Sequence, residues 1–141
     1  MADLPTTRCV PVIRADFSDD EAWAQIREEI TSPTDEGFLA NVEFVEDRTL
    51  NGLDEATVVA GFPRAYPYEY QHPVLFVVDN VTVSSPDRPP LVVNLSVTDR
   101  SGPFRAVPRQ VQAIENNLSI ANMDFIEFAR SVDADGVFRG F

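Results

Sequence analysis

Gln110-Val111-Gln112-Ala113-Ile114-Glu115-Asn116-Asn117-Leu118-Ser119-Ile120-Ala121-Asn122-Met123-Asp124-Phe125-Ile126-Glu127-Phe128-Ala129 is the stretch on which the fold turns. Val111, Ile114, Leu118 and Ala121 recur at steps of three and four, the stripe of a helix facing a core. Pro108 suits the first helical position, where a missing N–H costs nothing. Asp124-x-x-Glu127 reads as a capping box. Phe125, Phe128, Ala129 and Val132 form the next stripe, so a second helix is expected from near Asp124 to about Val132. Two short helices with one apolar face each need a layer to lie on. The joint between them holds Glu115, Asn116, Asn117, Ser119 and Asn122. Adjacent asparagines inside a helix compete with the backbone for hydrogen bonds. Either they cap helix ends and tie down loops, or Glu115 and one Asn point into a pocket as acceptor and donor.

Outward from that stretch, the layer is a sheet. Val10–Phe17 reads as a strand, with Pro11 at an edge or ahead of regular pairing. Ser18-Asp19-Asp20-Glu21 is a second capping box, opening a helix with Trp23, Ile26 and Ile30 on one face. Asn41–Glu46 alternates as a second strand, Leu50–Leu53 is a turn, and Asp54 caps a short helix running through Val58 and Val59 to Gly61. Phe62–Pro73 has three prolines and four aromatics, which forbids a regular helix. Val74–Asp79 is apolar on both faces, as a buried strand is, and is expected to continue through Asn80–Val83. Ser84–Pro90 is a connection, Leu91–Val97 a fourth strand, Asp99–Pro103 a turn, and Phe104–Val107 a short fifth strand. The tail Asp133–Phe141 ends in two phenylalanines and is expected to dock back on the body. The prediction is an α/β fold: a single-domain layered sandwich with a mixed, roughly five-stranded sheet and about four helices. Its first three strands are parallel through right-handed crossovers and its last pair antiparallel. Residues 1–8 are expected to be a flexible tail and 9–141 one globular domain.

Composition narrows the chemistry. The chain has 141 residues, enough for one core, and 44% apolar residues argue against general disorder. No apolar run approaches the roughly 20 residues that span a bilayer, and no secretory signal is evident, so the cytoplasm is the expected location. Cys9 is the only cysteine, which excludes an internal disulfide and thiolate clusters; it reads as packed rather than reactive. All eleven cationic side chains are Arg, which excludes Schiff-base lysines and a phosphate-loop lysine. The formal net charge is −12. Residues 1–70 carry fifteen acids and five Arg, residues 71–141 eight acids and six Arg, so most of the excess sits in the first half. That field opposes nucleic acid and anionic membranes and attracts a basic partner; plain solubility is its mundane explanation.

Candidate chemistry is sparse. In an open α/β sheet ligands bind outside the carboxyl ends of the strands, where Asp16 and Asp79 are placed. Paired carboxylates there echo a phospho-receiver site holding Mg²⁺, but such a site needs a lysine and a strand that ends at Asp79. The simpler expectation is that Asp16 caps the next helix and Asp79 is solvated. Neither a metal nor an organic cofactor is expected. Tyr66, Tyr68 and Tyr70 with the single histidine, His72, either line a ligand groove or cover the sheet edge. A lone histidine excludes multi-histidine zinc sites. No nucleophile elbow or dinucleotide fingerprint is present.

The run Ile-Glu-Asn-Asn-Leu-Ser-Ile-Ala-Asn-Met-Asp-Phe at 114–125 and Asp135-Gly-Val-Phe-Arg-Gly-Phe141 resemble a small actinobacterial family classed only as a domain of unknown function. Arg14–Asp20 and Asn41–Val45 resemble the same pattern, so the similarity spans most of the chain. It implies no activity, cofactor or site residue. Two functions are weighed. One is a non-enzymatic protein-binding module, immunity- or inhibitor-like, for a basic protein. The other is a small cofactor-independent enzyme of secondary metabolism (an isomerase, cyclase or hydrolase). It would use Glu115 as acid or base, Asn116 or Asn117 to orient substrate, and Tyr66, Tyr68 or Tyr70 to close the site. The oligomeric state is not legible.

Overall fold

A computed structural model of the chain describes residues 7–58, 72–96 and 101–141. Runs rich in β-branched residues form its strands, because two heavy atoms on Cβ fit a pleated surface better than a helix. They are β1 (Val10–Arg14), β2 (Val42–Val45), β3 (Val74–Val78), β4 (Leu91–Asn94), β5 (Phe104–Ala106) and β6 (Val137–Phe138). The helices are α1 (Asp20–Thr31), α2 (described over 55–58), α3 (Asn80–Ser84), α4 (Val111–Ser119) and α5 (Phe125–Ala129). One mixed sheet runs β2-β1-β3-β4-β5-β6. β1 is parallel to both β2 and β3, β4 is antiparallel to β3 and β5, and β6 is parallel to β5.

Alternation along the strands divides the core in two. Val12, Phe76, Val78, Val92 and Phe104 face one side, where Trp23 and Ile26 of α1, Ile114 of α4 and Phe125 and Phe128 of α5 cover them. Ile13, Leu75, Val77, Leu91 and Val93 face the other, beneath Leu50 and Val58. The crossover from β1 to β2 therefore passes over one face, and the described part of the return towards β3, with Leu50 and Val58, lies on the opposite face. The expected layered α/β architecture is present, with six strands and five helices among the described residues.

The organising stretch is seated on the sheet as expected, except that α4 ends at Ser119 and leaves Ala121 exposed beyond it. Val111 and Ile114 are fully buried, and the Glu127 carboxylate accepts from the Asp124 backbone N–H at 2.7 Å. α5 ends at Ala129, earlier than Val132. The tail docks by becoming β6: Arg105 and Ala106 lie opposite Val137 and Phe138. Gly136, at φ +81°, makes the turn into β6 that an L side chain would strain. Arg139 fixes the tail through Asp133 (2.8 Å), Asp135 (2.7 Å) and Asp87 (2.7 Å). Within the segment expected as a tail, Thr7 is buried and its hydroxyl donates to the Cys9 carbonyl at 2.7 Å.

Local expectations at the end of β3 and at the start of α1 are corrected, whereas Pro11 sits ahead of regular pairing with β3 as one alternative had it. β3 stops at Val78 and the chain turns into α3, because the Asp79 carboxylate accepts from the Thr82 N–H (3.1 Å) and the Thr82 hydroxyl receives the Asp79 N–H (3.2 Å). Asp16 does not cap the following helix. Asp19 does, accepting from Ala22 N at 2.9 Å, one residue later than a Ser18 cap requires. Pro11 lies in an interior strand, and its missing donor is tolerated because β3 pairing begins only at Val12. Asp54 caps α2 as expected, through Thr57 N at 2.8 Å. Among the described residues no helix is long and apolar enough to cross a membrane.

Candidate functional site

β1 is the first strand of the parallel set, and the chain leaves it for β2 on one side and then β3 on the other. Where connections part in this way, a crevice opens at the carboxyl ends of the strands. Here Ala15 N donates to Val78 O (2.8 Å) and Gly52 N to Ala15 O (2.8 Å), drawing three loops together. Between them lies a cleft of about 640 Å³, within the range of ligand sites. Asp16, Arg48, Glu55, Asp79, Asn80 and Arg105 supply most of its charged and polar groups.

Asp79 sits at its floor, held from two sides. Arg105 of β5 grips it with a fork: Nη1 to Oδ1 at 3.0 Å and Nη2 to Oδ2 at 2.8 Å. The two side chains are 14% and 11% exposed, so the pair is largely withdrawn from water. The Asp79 carboxylate is therefore withdrawn from water, contrary to the expectation that it is solvated. Burial pushes its pKa up, but the Arg105 fork and the Thr82 bonds outweigh burial and hold it below the ordinary value. Arg105 Nη1 also donates to Pro89 O (3.1 Å), and Nη2 lies 3.9 Å from Glu55.

Asp16 stands at the rim. Ser18 donates to Oδ1 through its N–H (2.8 Å) and its hydroxyl, and Asn80 Nδ2 reaches Oδ2 at 3.4 Å. Its pKa is also lowered: partial burial raises it, and the Ser18, Asn80 and Arg14 interactions more than reverse that. Behind the rim, buried Arg14 donates to the Asp16 carbonyl (3.1 Å) and to Asp20 (2.6 Å), with its guanidinium 4.4 Å from the Phe17 ring centre. Arg48 stacks on Phe17 at 4.9 Å and has no ion-pair partner among the described residues. No group of three or more His, Cys, Asp or Glu suited to a metal occurs among the described residues.

Of the residues singled out from sequence, Asp16 and Asp79 are brought together. Glu115 is elsewhere: it is buried on α4 and accepts from Asn41 N (2.7 Å), just ahead of β2 and so at the amino end of the parallel strands. Burial raises its pKa, opposed by the Asn41 and Ser119 bonds. Asn116 is exposed. Asn117 donates to Ala113 O (2.8 Å) and receives the Asn122 amide (2.9 Å), tying the joint after α4. His72 precedes β3 at the same amino end, with Nε2 3.0 Å from Thr7 O. Tyr66, Tyr68 and Tyr70 lie outside the described residues. Cys9 Sγ is 3.2 Å from Asn41 Oδ1.

Sequence reasoning missed Arg105, Arg48 and Glu55. The one available signal was Arg105 itself, a charge between two apolar residues of a strand, which needs a partner if it is not in water. Nothing local pointed to Asp79 as that partner.

The sequence model of a family described as Domain of unknown function (DUF6924) matches residues 9–141, and the chain belongs to that family. No curated protein and no solved structure matches the chain.

Proposed function

We propose that this chain, a member of a family without an assigned activity, is a non-enzymatic, cytoplasmic protein-binding module, immunity- or inhibitor-like, that engages a basic protein. The cleft at the carboxyl ends of β1 and β3 receives a basic side chain of that partner. The observation that carries this reading is the geometry of the cleft, a space of about 640 Å³ with Asp16 and Glu55 in its lining and the Asp79–Arg105 pair beneath. Asp16 and Asp79 are both held below the ordinary carboxylate range. A group kept ionised in this way is suited to holding a cation and poorly suited to exchanging a proton near neutrality. Arg105 already occupies Asp79, which leaves Asp16 and exposed Glu55 to face an incoming guanidinium. The acidic excess of residues 1–70 attracts a cation to the chain as a whole.

The test is an NMR titration of the labelled chain with N-acetylarginine amide, with the citrulline analogue as the neutral control. Shifts are expected at the amides of Ser18, Gly52 and Asn80, with weakening by Asp16→Asn and Glu55→Gln and with added salt. Equal shifts with citrulline, or none at the cleft, would sink this reading.

A second reading, the cofactor-independent enzyme, is favoured by Glu115, whose carboxyl is pushed upward by burial in the direction a general acid requires. Asn116, Asn117 and the tyrosines Tyr66, Tyr68 and Tyr70 would complete that site. Its test is substrate depletion from a host small-molecule extract, followed by mass spectrometry, with Glu115→Gln as the inactive control.

A further inference from the structure

β2 ends the sheet, and among the described residues nothing pairs with its outer side. Strands β1 and β3 are buried along their whole length, whereas Val42, Phe44 and Val45 of β2 are only half-buried. Immediately before β2, Phe38 and Leu39 stand 59% and 63% exposed. An edge strand with unpaired backbone groups and apolar side chains beside it is a template for another strand.

Charge decides which strand. The stretch 28–47 contains several acids and no basic residue. Asp35, Glu36 and Glu43 are exposed and have no ion-pair partner among the described residues. A second copy of this chain would bring the same acids against themselves, and like charges directly opposite are destabilising. A basic strand meets no such penalty. We infer that the β2 edge, with Phe38 and Leu39, is the docking site for an extended, basic segment of another protein, which adds to the sheet as a seventh strand. Backbone hydrogen bonds to β2 supply the register, Phe38 and Leu39 the apolar anchors, and Asp35, Glu36 and Glu43 the selection for arginine or lysine at alternate positions. The inference rests on the reading that the partner is a basic protein, but the site is separate from the cleft.

The experiment uses the full chain and an alternating arginine–valine peptide as probe. A control peptide of equal charge carries proline at the valine positions and cannot form a strand. Titration should shift the amides of Val42 to Val45 and slow their hydrogen exchange, and the proline peptide should bind at least about tenfold more weakly. Exposed Phe38→Ser with Leu39→Ser should weaken the first peptide by about tenfold or more, as loss of interface anchors does. Circular dichroism and an unchanged thermal midpoint would show that this variant still folds. Equal binding of both peptides, shifts centred on Ser18, Gly52 and Asn80 instead, or a dimer in light scattering sealed through β2 would each overturn it. Loss of arginine-amide binding at the cleft with retained peptide binding at β2 would overturn the cleft reading alone.

Discussion

Replacing Asp79 with Ala removes one half of the Arg105 pair and the cap of α3 together. Breaking a buried ion pair by deleting one partner costs about 3–5 kcal/mol, because the survivor is left without compensation. Arg105 keeps the Pro89 carbonyl at 3.1 Å and Glu55 at 3.9 Å, which places the cost at the lower end, about 3 kcal/mol. Loss of the cap adds about 1 kcal/mol. A total of about 4 kcal/mol is below the usual 5–15 kcal/mol of a domain, so the variant should still fold. The single tryptophan, Trp23, is buried and reports unfolding by its fluorescence. At a urea slope of about 2 kcal/mol per M, the midpoint should fall by about 2 M. Asp79→Asn keeps a capping oxygen and should lose about 1 kcal/mol less. Arg105→Met combined with Asp79→Ala should cost less than the sum of the two, since neither charge is then stranded. The folded carboxyl is held below its ordinary 3.8, so its contribution is full above that value and disappears as pH falls through the depressed one. The gap between wild type and Asp79→Asn should therefore close below about pH 3.8. A midpoint shift under about 0.5 M at neutral pH, or strictly additive double-variant costs, would refute the claim that this pair holds the cleft floor.

Other outcomes follow from single contacts. Glu115 binds its proton more tightly folded than unfolded, so stability falls as pH rises above the ordinary 4.5; Glu115→Gln should match or exceed wild type in urea melts at pH 7 and lose that advantage below pH 4.5. Gly136→Ala forces a side chain into the left-handed region at φ +81° and should cost about 1–2 kcal/mol by urea denaturation. Phe128→Ala empties a fully buried site beside Phe138 (ring centres 5.4 Å apart) and should cost about 3–5 kcal/mol in the same assay. Arg139→Ala should speed hydrogen exchange at Val137 and Phe138 with little change at β1 and β3, because its ion pairs fasten the tail and lie at the surface.

The segments whose period spans several turns or a full strand were legible: the α1 and α4 stripes, the buried runs of β1, β3 and β4, and the caps at Asp54 and Asp124. Short segments were not. Asn80-Val81-Thr82-Val83 alternates like a strand, yet it is one helical turn with Val83 buried and Val81 45% exposed. A strand puts Val81 and Val83 on one face and a helix puts them on opposite faces, so the local pattern favours a strand, and the deciding contact is the reciprocal Asp79–Thr82 bonding. β6 has two residues and exists only because β5 offers a free edge for the tail.

The same division holds for the site. The sequence alone settled that apolar runs at Val10–Arg14 and Val74–Val78 would be strands with acids following them, because both are local facts. It also settled that lysine chemistry, an internal disulfide and thiolate clusters were unavailable. Only the tertiary structure decided that Asp79 would be claimed by Arg105, a residue 26 positions away, and that Glu115 would be buried at the other end of the sheet. Those outcomes depend on which strands become neighbours, and long-range pairing leaves no mark in the spacing of residues along the chain.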